Sequence, residues 1–190
     1  AAGIGKLGIC ETDTIVVYDG PGIFSSARGW WTFRTMGASN VRILEGGMDG
    51  WKADGRPVET GEPGVPEPAI FSPTFNPEKV RDFDYMLKNL KSGSSIVLDA
   101  RPYGRFIGHD PEPRPGLRSG HMPGARSLPA LDIVRDGTLI GAEELRVLFE
   151  DRGIRDGVHV TTTCGSGATA AILSLALETI GHKDQSLYDG

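Results

Sequence analysis

One succession of residues occurs twice in this chain, and it restricts the fold more than any other feature. Gly8-Ile9 precedes the short β-branched run Ile15-Val16-Val17-Tyr18-Asp19, and Gly153-Ile154 precedes Val160-Thr161-Thr162-Thr163-Cys164. Each run leads into a Gly-containing loop and then a helical stretch. Gly37 closes the first stretch as Gly181 closes the second, and Leu44-Glu45-Gly46 matches Tyr188-Asp189-Gly190 after a slip of one residue. Two copies of one strand–loop–helix unit are the expected source of such self-similarity. Between the copies the same kinds of segment alternate. Val80, Phe83, Leu87 and Leu90 form an apolar stripe that predicts a helix over Pro77–Lys91, and Ile96–Asp99 reads as a buried strand. Ala142–Asp151 reads as a helix with Glu143 and Glu144 in its first turn, where the macrodipole favours them. Val158–Thr163, Ala168–Ile180 and Ser186-Leu187-Tyr188 continue as strand, helix and strand. This alternation predicts an α/β fold, a tandem of parallel sheets flanked by helices.

The stretch Gly55–Phe75 holds five prolines and no periodicity, the mark of an extended connection. The expected organisation is therefore a first domain over 1–58, a linker over 59–75 and a second domain over 76–190. The first copy has no counterpart of Pro77–Leu145, and the second has none of Gly47–Trp51. We accordingly expect half of one domain followed by nearly all of another, a piece that aggregates or turns over slowly by itself.

Composition removes several function classes. Twenty Lys and Arg against 25 Asp and Glu leave a net charge of −5, which argues against a nucleic-acid partner. No apolar run approaches the ~20 residues that span a bilayer, so no membrane partner is expected. Two distant cysteines, Cys10 and Cys164, cannot make a disulfide scaffold or a four-Cys zinc site, and they suit a reducing, cytoplasmic setting. There is no metal-ligand spacing and no phosphate-cradling motif, so no cofactor is expected.

The segment TTTCGSGATAA, Thr161–Ala171, concentrates the chemistry. A buried strand delivers Cys164 to a loop containing Gly165, Ser166 and Gly167, and a helix begins at Ala168 and Thr169. Glycines let successive N–H groups turn inward, and the helix start adds partial positive charge. Together they favour a thiolate nucleophile with amide donors for a developing anion. An inert cysteine at a strand end is the plainer alternative. A phosphatase loop places arginine six residues after its cysteine, where this chain has Ala170. A papain-like hydrolase needs a histidine base, and spacing alone pairs none of His109, His121, His159 and His182 with Cys164. A second feature is the Pro/Gly-rich segment after the Ile96–Asp99 strand, which carries Arg101, Arg105, Arg114, Arg118 and Arg126. Loops beyond the strand C-termini form the crevice of an open parallel sheet. Arg105 and Arg114 are therefore candidates to face the same crevice as Cys164 and to bind an anion.

CGSGATA beside LDARPYGRF, EPRPGLRSGHMPGA and LYDG resembles the catalytic domain of tandem-domain rhodanese-type sulfurtransferases, in particular those that use 3-mercaptopyruvate. VVYDGPGIFSSARGWWTFRTMGASNVRILEGGMDGW is similar to the second half of that family's non-catalytic N-terminal domain, with Asp19 standing where the second copy has Cys164. The resemblance implies rhodanese-like domains and an inactive first copy. It implies that Cys164 becomes a persulfide and that pyruvate leaves. The sulfur then passes to cyanide or to a thiol acceptor such as thioredoxin or a small thiol. Arg105 and Arg114 match the family's arginines for the substrate carboxylate and ketone. Ser166 matches a serine that handles protons with a His and an Asp ahead of Ala1. Thiosulfate-using relatives carry Arg and Lys in the loop where this chain has Gly165 and Ser166. Thiosulfate use is thus one alternative, and a non-catalytic interaction module is another.

Overall fold

The computed structural model describes residues 2–190 as two compact units. One runs to Pro77 and takes in Asp136–Thr138; the other comprises Glu78–Arg135 and Leu139–Gly190.

The first unit contains α1 (Ala2–Gly5), β1 (Ile15–Val17), α2 (Ser26–Thr35), β2 (Val41–Ile43) and α3 (Gly47–Ala53). β1 and β2 pair in parallel, with Ile15 opposite Val41 and Val17 opposite Ile43. α2 packs on both strands and buries Ala27, Trp30 and Trp31. The tryptophans are core. The end of the proline-rich stretch, residues 69–75, is pinned to this unit. Ala69 N–H donates to the Gly5 carbonyl (2.8 Å), Thr74 N–H donates to Met36 (2.9 Å), and Phe71 is buried against Phe33.

The second unit contains β3 (Val80–Arg81), α4 (Phe83–Ser92), β4 (Ile96–Asp99), α5 (Tyr103–Phe106), β5 (Arg126–Ser127), β6 (Val134–Arg135), β7 (Thr138–Leu139, whose first residue belongs to the first unit), α6 (Ala142–Glu150), β8 (Val160–Thr163), α7 (Ala168–Thr179) and β9 (Gln185–Tyr188). The main sheet is parallel throughout, in the order β3-β9-β8-β4-β5. α7 is apolar nearly all round and fully buries Ala170, Ala171, Ile172, Leu173, Ala176 and Leu177, as a helix enclosed by its own domain must be.

The expected helix over Pro77–Lys91 is corrected at its start. Pro77–Lys79 is a 3₁₀ turn, and Val80 and Arg81 pair with Leu187 and Tyr188 of β9. Asp82 then begins α4 as its N-cap, its carboxylate accepting the Tyr85 N–H at 2.8 Å. Val80 falls on the helical stripe by spacing alone. The cap residue sets the boundary.

β8 is buried on both faces yet carries three threonines, and each of the two inner hydroxyls is satisfied. Thr161 Oγ1 lies 3.0 Å from Ser95 Oγ and 3.2 Å from Ser186 Oγ, and Thr162 Oγ1 lies 3.0 Å from Ser174 Oγ. These bonds tie β8 to the residue before β4, to β9 and to α7, which fixes the strand that leads into Cys164.

Candidate active site

Cys164 follows β8 at the C-terminal edge of the parallel sheet, where Gly165–Gly167 turn the chain into α7. Gly167 is the helix N-cap at φ 78°, a left-handed conformation that a side chain disfavours. That turn brings the Gly167 N–H to 3.0 Å and the Ser166 N–H to 3.4 Å from Cys164 Sγ. Burial alone would push the thiol up. The Thr169 hydroxyl and the N–H groups of Ser166, Ala170 and Gly167 outweigh it, and Cys164 lies below the ordinary thiol value. A larger thiolate fraction near neutral pH follows. Alkylation of Cys164 by iodoacetamide, followed by peptide mass mapping, is expected to titrate below the free-thiol value of about 8.5. Thr169→Val removes one donor, so it should raise the midpoint and slow alkylation at pH 7 roughly two- to tenfold. An unchanged midpoint would mean that the backbone amides alone hold the charge.

The first unit shows the same loop holding a different anion. Asp19 accepts hydrogen bonds from the Phe24 N–H (2.8 Å), the Ser26 N–H (2.7 Å) and the Ser25 hydroxyl. Burial opposes ionisation there, and these donors still hold the carboxyl below its usual range. Both loops are amide-lined anion cradles before a helix. The first holds a carboxylate and the second a cysteine sulfur.

A cavity of about 710 Å³ opens at Cys164. The α4 side chains Phe83, Met86, Leu87 and Leu90 form its apolar wall, and Asp99, Arg101, Glu112, Arg118 and His121 contribute polar groups. Asp99 ends β4 and accepts from the Arg101 N–H, Nε and Nη2, the last at 2.6 Å. Arg101 also donates to Glu112 (2.8 Å) and to the Gly120 carbonyl (2.7 Å). Arg105 donates to Glu112 through Nε (3.1 Å) and through Nη2. The Arg105 guanidinium stands 3.1 Å from where a Cβ on Gly165 would lie. Arg114 donates from Nη2 to the Gly165 carbonyl at 3.0 Å. Both arginines thus reach the cysteine loop, and Arg105 does so already paired. The backbone N–H of Ser166 faces the sulfur, while its hydroxyl has no partner among the described residues. Arg126 lies elsewhere and donates to the Arg152 carbonyl. The sequence reading missed Glu112, whose side chain is 4% exposed and joins two arginines. Its signal was the EPR triplet, read for its arginine alone.

A cysteine sulfur that faces loop amides at the C-terminal edge of a parallel sheet, beside a cavity lined by guanidinium groups, is the arrangement of a cysteine-based site for anionic molecules. Comparison with known proteins specifies the lineage. The family model "Rhodanese-like domain" matches residues 4–54 and 82–190, and the chain belongs to the rhodanese-like family. It is 40% identical over 190 residues to the 3-mercaptopyruvate sulfurtransferase of Escherichia coli K12, covering all of this chain and 67% of that protein. It is 39% identical over 191 residues to the thiosulfate sulfurtransferase of Mus musculus, covering 98% of this chain and 64% of that one. The crystal structure of the 3-mercaptopyruvate sulfotransferase SseA from Escherichia coli superposes with a TM-score of 0.88 at 36% identity, over all of this chain and 71% of that one. The chain therefore spans about two thirds of the length of these relatives.

Proposed function

We propose that the second unit is a sulfurtransferase site that takes sulfur from 3-mercaptopyruvate onto Cys164 and passes it to a thiol or to cyanide. The Cys164 thiolate attacks the donor sulfur, the carbon–sulfur bond breaks, and its electrons pass into the enolate of pyruvate. The proton of the donor thiol ends on the enolate carbon, so the products are pyruvate and a Cys164 persulfide anion. An acceptor thiolate then attacks the outer sulfur and releases Cys164. The Ser166 and Gly167 N–H groups stabilise the sulfur anion at both stages. Arg114 and Arg105 hold the donor's carboxylate and ketone at the loop, and Ser166 takes part in moving the proton. The acceptor is a small thiol or the exposed cysteine of a thioredoxin-like protein. No helix among the described residues is long and apolar enough to cross a membrane. The two unpaired cysteines accord with a cytoplasmic setting.

The observation that carries the choice of donor is the charge of the cysteine loop. Identity does not separate the donors, because the bacterial and mouse relatives differ by one percentage point. Gly165 and Ser166 give the loop no cation of its own. A dianionic thiosulfate forgoes two charge-assisted bonds of about 1.5–3 kcal/mol each. Gly165→Arg with Ser166→Lys should raise thiosulfate use relative to 3-mercaptopyruvate by at least about tenfold. The new side chain at 165 must also move the nearby Arg105 guanidinium. Part of the shift will therefore come from weaker 3-mercaptopyruvate binding. A folded variant with an unchanged ratio of the two activities would remove loop charge as the selector.

A further inference from the structure

The cysteine cavity is lined by an unpaired cation that the proposed chemistry has not used. Asp99, Glu112, Arg101 and Arg105 form a closed set in which two carboxylates neutralise two guanidinium groups. The charges of these four cancel, so Arg105 can meet the donor's ketone with N–H groups but brings no net charge to its carboxylate. Arg114 remains, bound to the neutral Gly165 carbonyl beside the Cys164 thiolate. Arg118 remains as well. It lines the same cavity as Cys164, is exposed, and has no hydrogen bond or ion pair among the described residues. Against the thiolate alone the site carries one surplus positive charge. Once a monoanionic donor enters, two negative charges meet two positive ones.

We infer that Arg118 is a specificity-determining residue that supplies the second of these charges, binding the carboxylate of the sulfur donor from the cavity side while Arg114 acts at the cysteine loop. The inference rests on the proposed use of an α-keto acid donor and adds a recognition residue to it. Three points of chemistry favour Arg118. Its guanidinium is a planar fork suited to a carboxylate. No internal acid competes for it, whereas a donor reaching Arg105 must share it with Glu112. Arg118 is also two residues ahead of Gly120, whose carbonyl is tied to Arg101 (2.7 Å), so a fixed backbone point anchors this part of the loop.

The test is steady-state kinetics of the wild type, Arg118→Gln and Arg118→Lys with 3-mercaptopyruvate and with its methyl ester. Arg118→Gln should raise KM for the acid at least about tenfold, as loss of a charge-assisted bond requires, and leave kcat within about threefold. Arg118→Lys should recover part of the loss. The ester has no carboxylate, so its KM should be the same in all three proteins. Equal KM values for the acid in wild type and Arg118→Gln would overturn the inference, as would an equal penalty on acid and ester, which would mark a merely structural arginine. A wild type that cannot use 3-mercaptopyruvate, yet forms the Cys164 persulfide from thiosulfate, would instead overturn the choice of donor. The same KM comparison on thiosulfate would then decide the role of Arg118, since that donor is also an anion.

Discussion

Cys164→Ser is expected to abolish sulfur transfer, with activity falling by at least about 10⁴-fold, the scale on which removal of a nucleophile acts. The loop is arranged for a sulfur anion. Its N–H donors lie 3.0 and 3.4 Å from Sγ and counter the cost of burying charge. A serine hydroxyl in the same place stays protonated at neutral pH and cannot form a persulfide. The direct readout is intact mass after incubation with 3-mercaptopyruvate. The wild type should gain one sulfur atom and Cys164→Ser none. Cys10 provides the internal control. It lies in the first unit, half-buried, with Sγ 3.1 Å from the Thr12 hydroxyl and a backbone N–H bonded to Asp13. Among the described residues no backbone N–H is bonded to its sulfur. Cys10→Ser should therefore retain the mass gain, and sulfur recovered on the Cys10 peptide would overturn the assignment.

How much of this was legible in the residues follows from which interactions are local. The cradle was legible because every part of it lies between Thr161 and Ala171, so the glycine spacing and the helix start can be read from one short segment. The parallel strands were legible for the same reason: Ile96–Leu98 and Val160–Thr163 are continuous apolar or β-branched runs. Val80-Arg81 was not, because a two-residue strand exists only through its pairing with β9, more than a hundred positions away. The arginine segment shows the same limit. Composition shows five cations near two acids, which suggests a strongly positive crevice. The fold brings in Asp99 from the end of β4 and turns Glu112 inward, and two of the five cations are neutralised. Side-chain charge in a loop can be counted from sequence, but its pairing depends on where the neighbouring strand stops.

That pairing has its own expected consequence. Glu112→Gln should lower stability at neutral pH by about 2–3 kcal/mol, the loss of charge-assisted bonds in a buried place, and lower Tm by roughly 5–10 °C. Glu112 accepts from Arg105 Nε and Nη2 and from Arg101 Nη1, and glutamine offers one acceptor and turns its N–H₂ toward a cation. The Arg105 hydrogen bonds, opposed by burial and helped by the charges of both arginines, hold the Glu112 carboxyl below the usual carboxylate range in the folded protein. The stabilisation is therefore complete above the unfolded carboxylate value of about 4.3 and disappears as pH falls through the lower folded value. The gap in stability between wild type and Glu112→Gln should be constant from pH 8 down to about 5 and should narrow progressively as pH falls below the unfolded carboxylate value of about 4.3. A gap that does not narrow at all between about pH 5 and pH 3 would mean that shape, not charge, is what glutamine spoils. The two arginines should respond differently. Arg101 keeps Asp99 and the Gly120 carbonyl, so the end of β4 should hold. Arg105 bonds to Glu112 through both carboxylate oxygens and has no other side-chain acceptor among the described residues, so the segment between α5 and Gly120 should be what loosens. Hydrogen exchange should accordingly rise over residues 107–119 and remain unchanged in β8, and 3-mercaptopyruvate should bind more weakly while Cys164 keeps its low-lying thiolate.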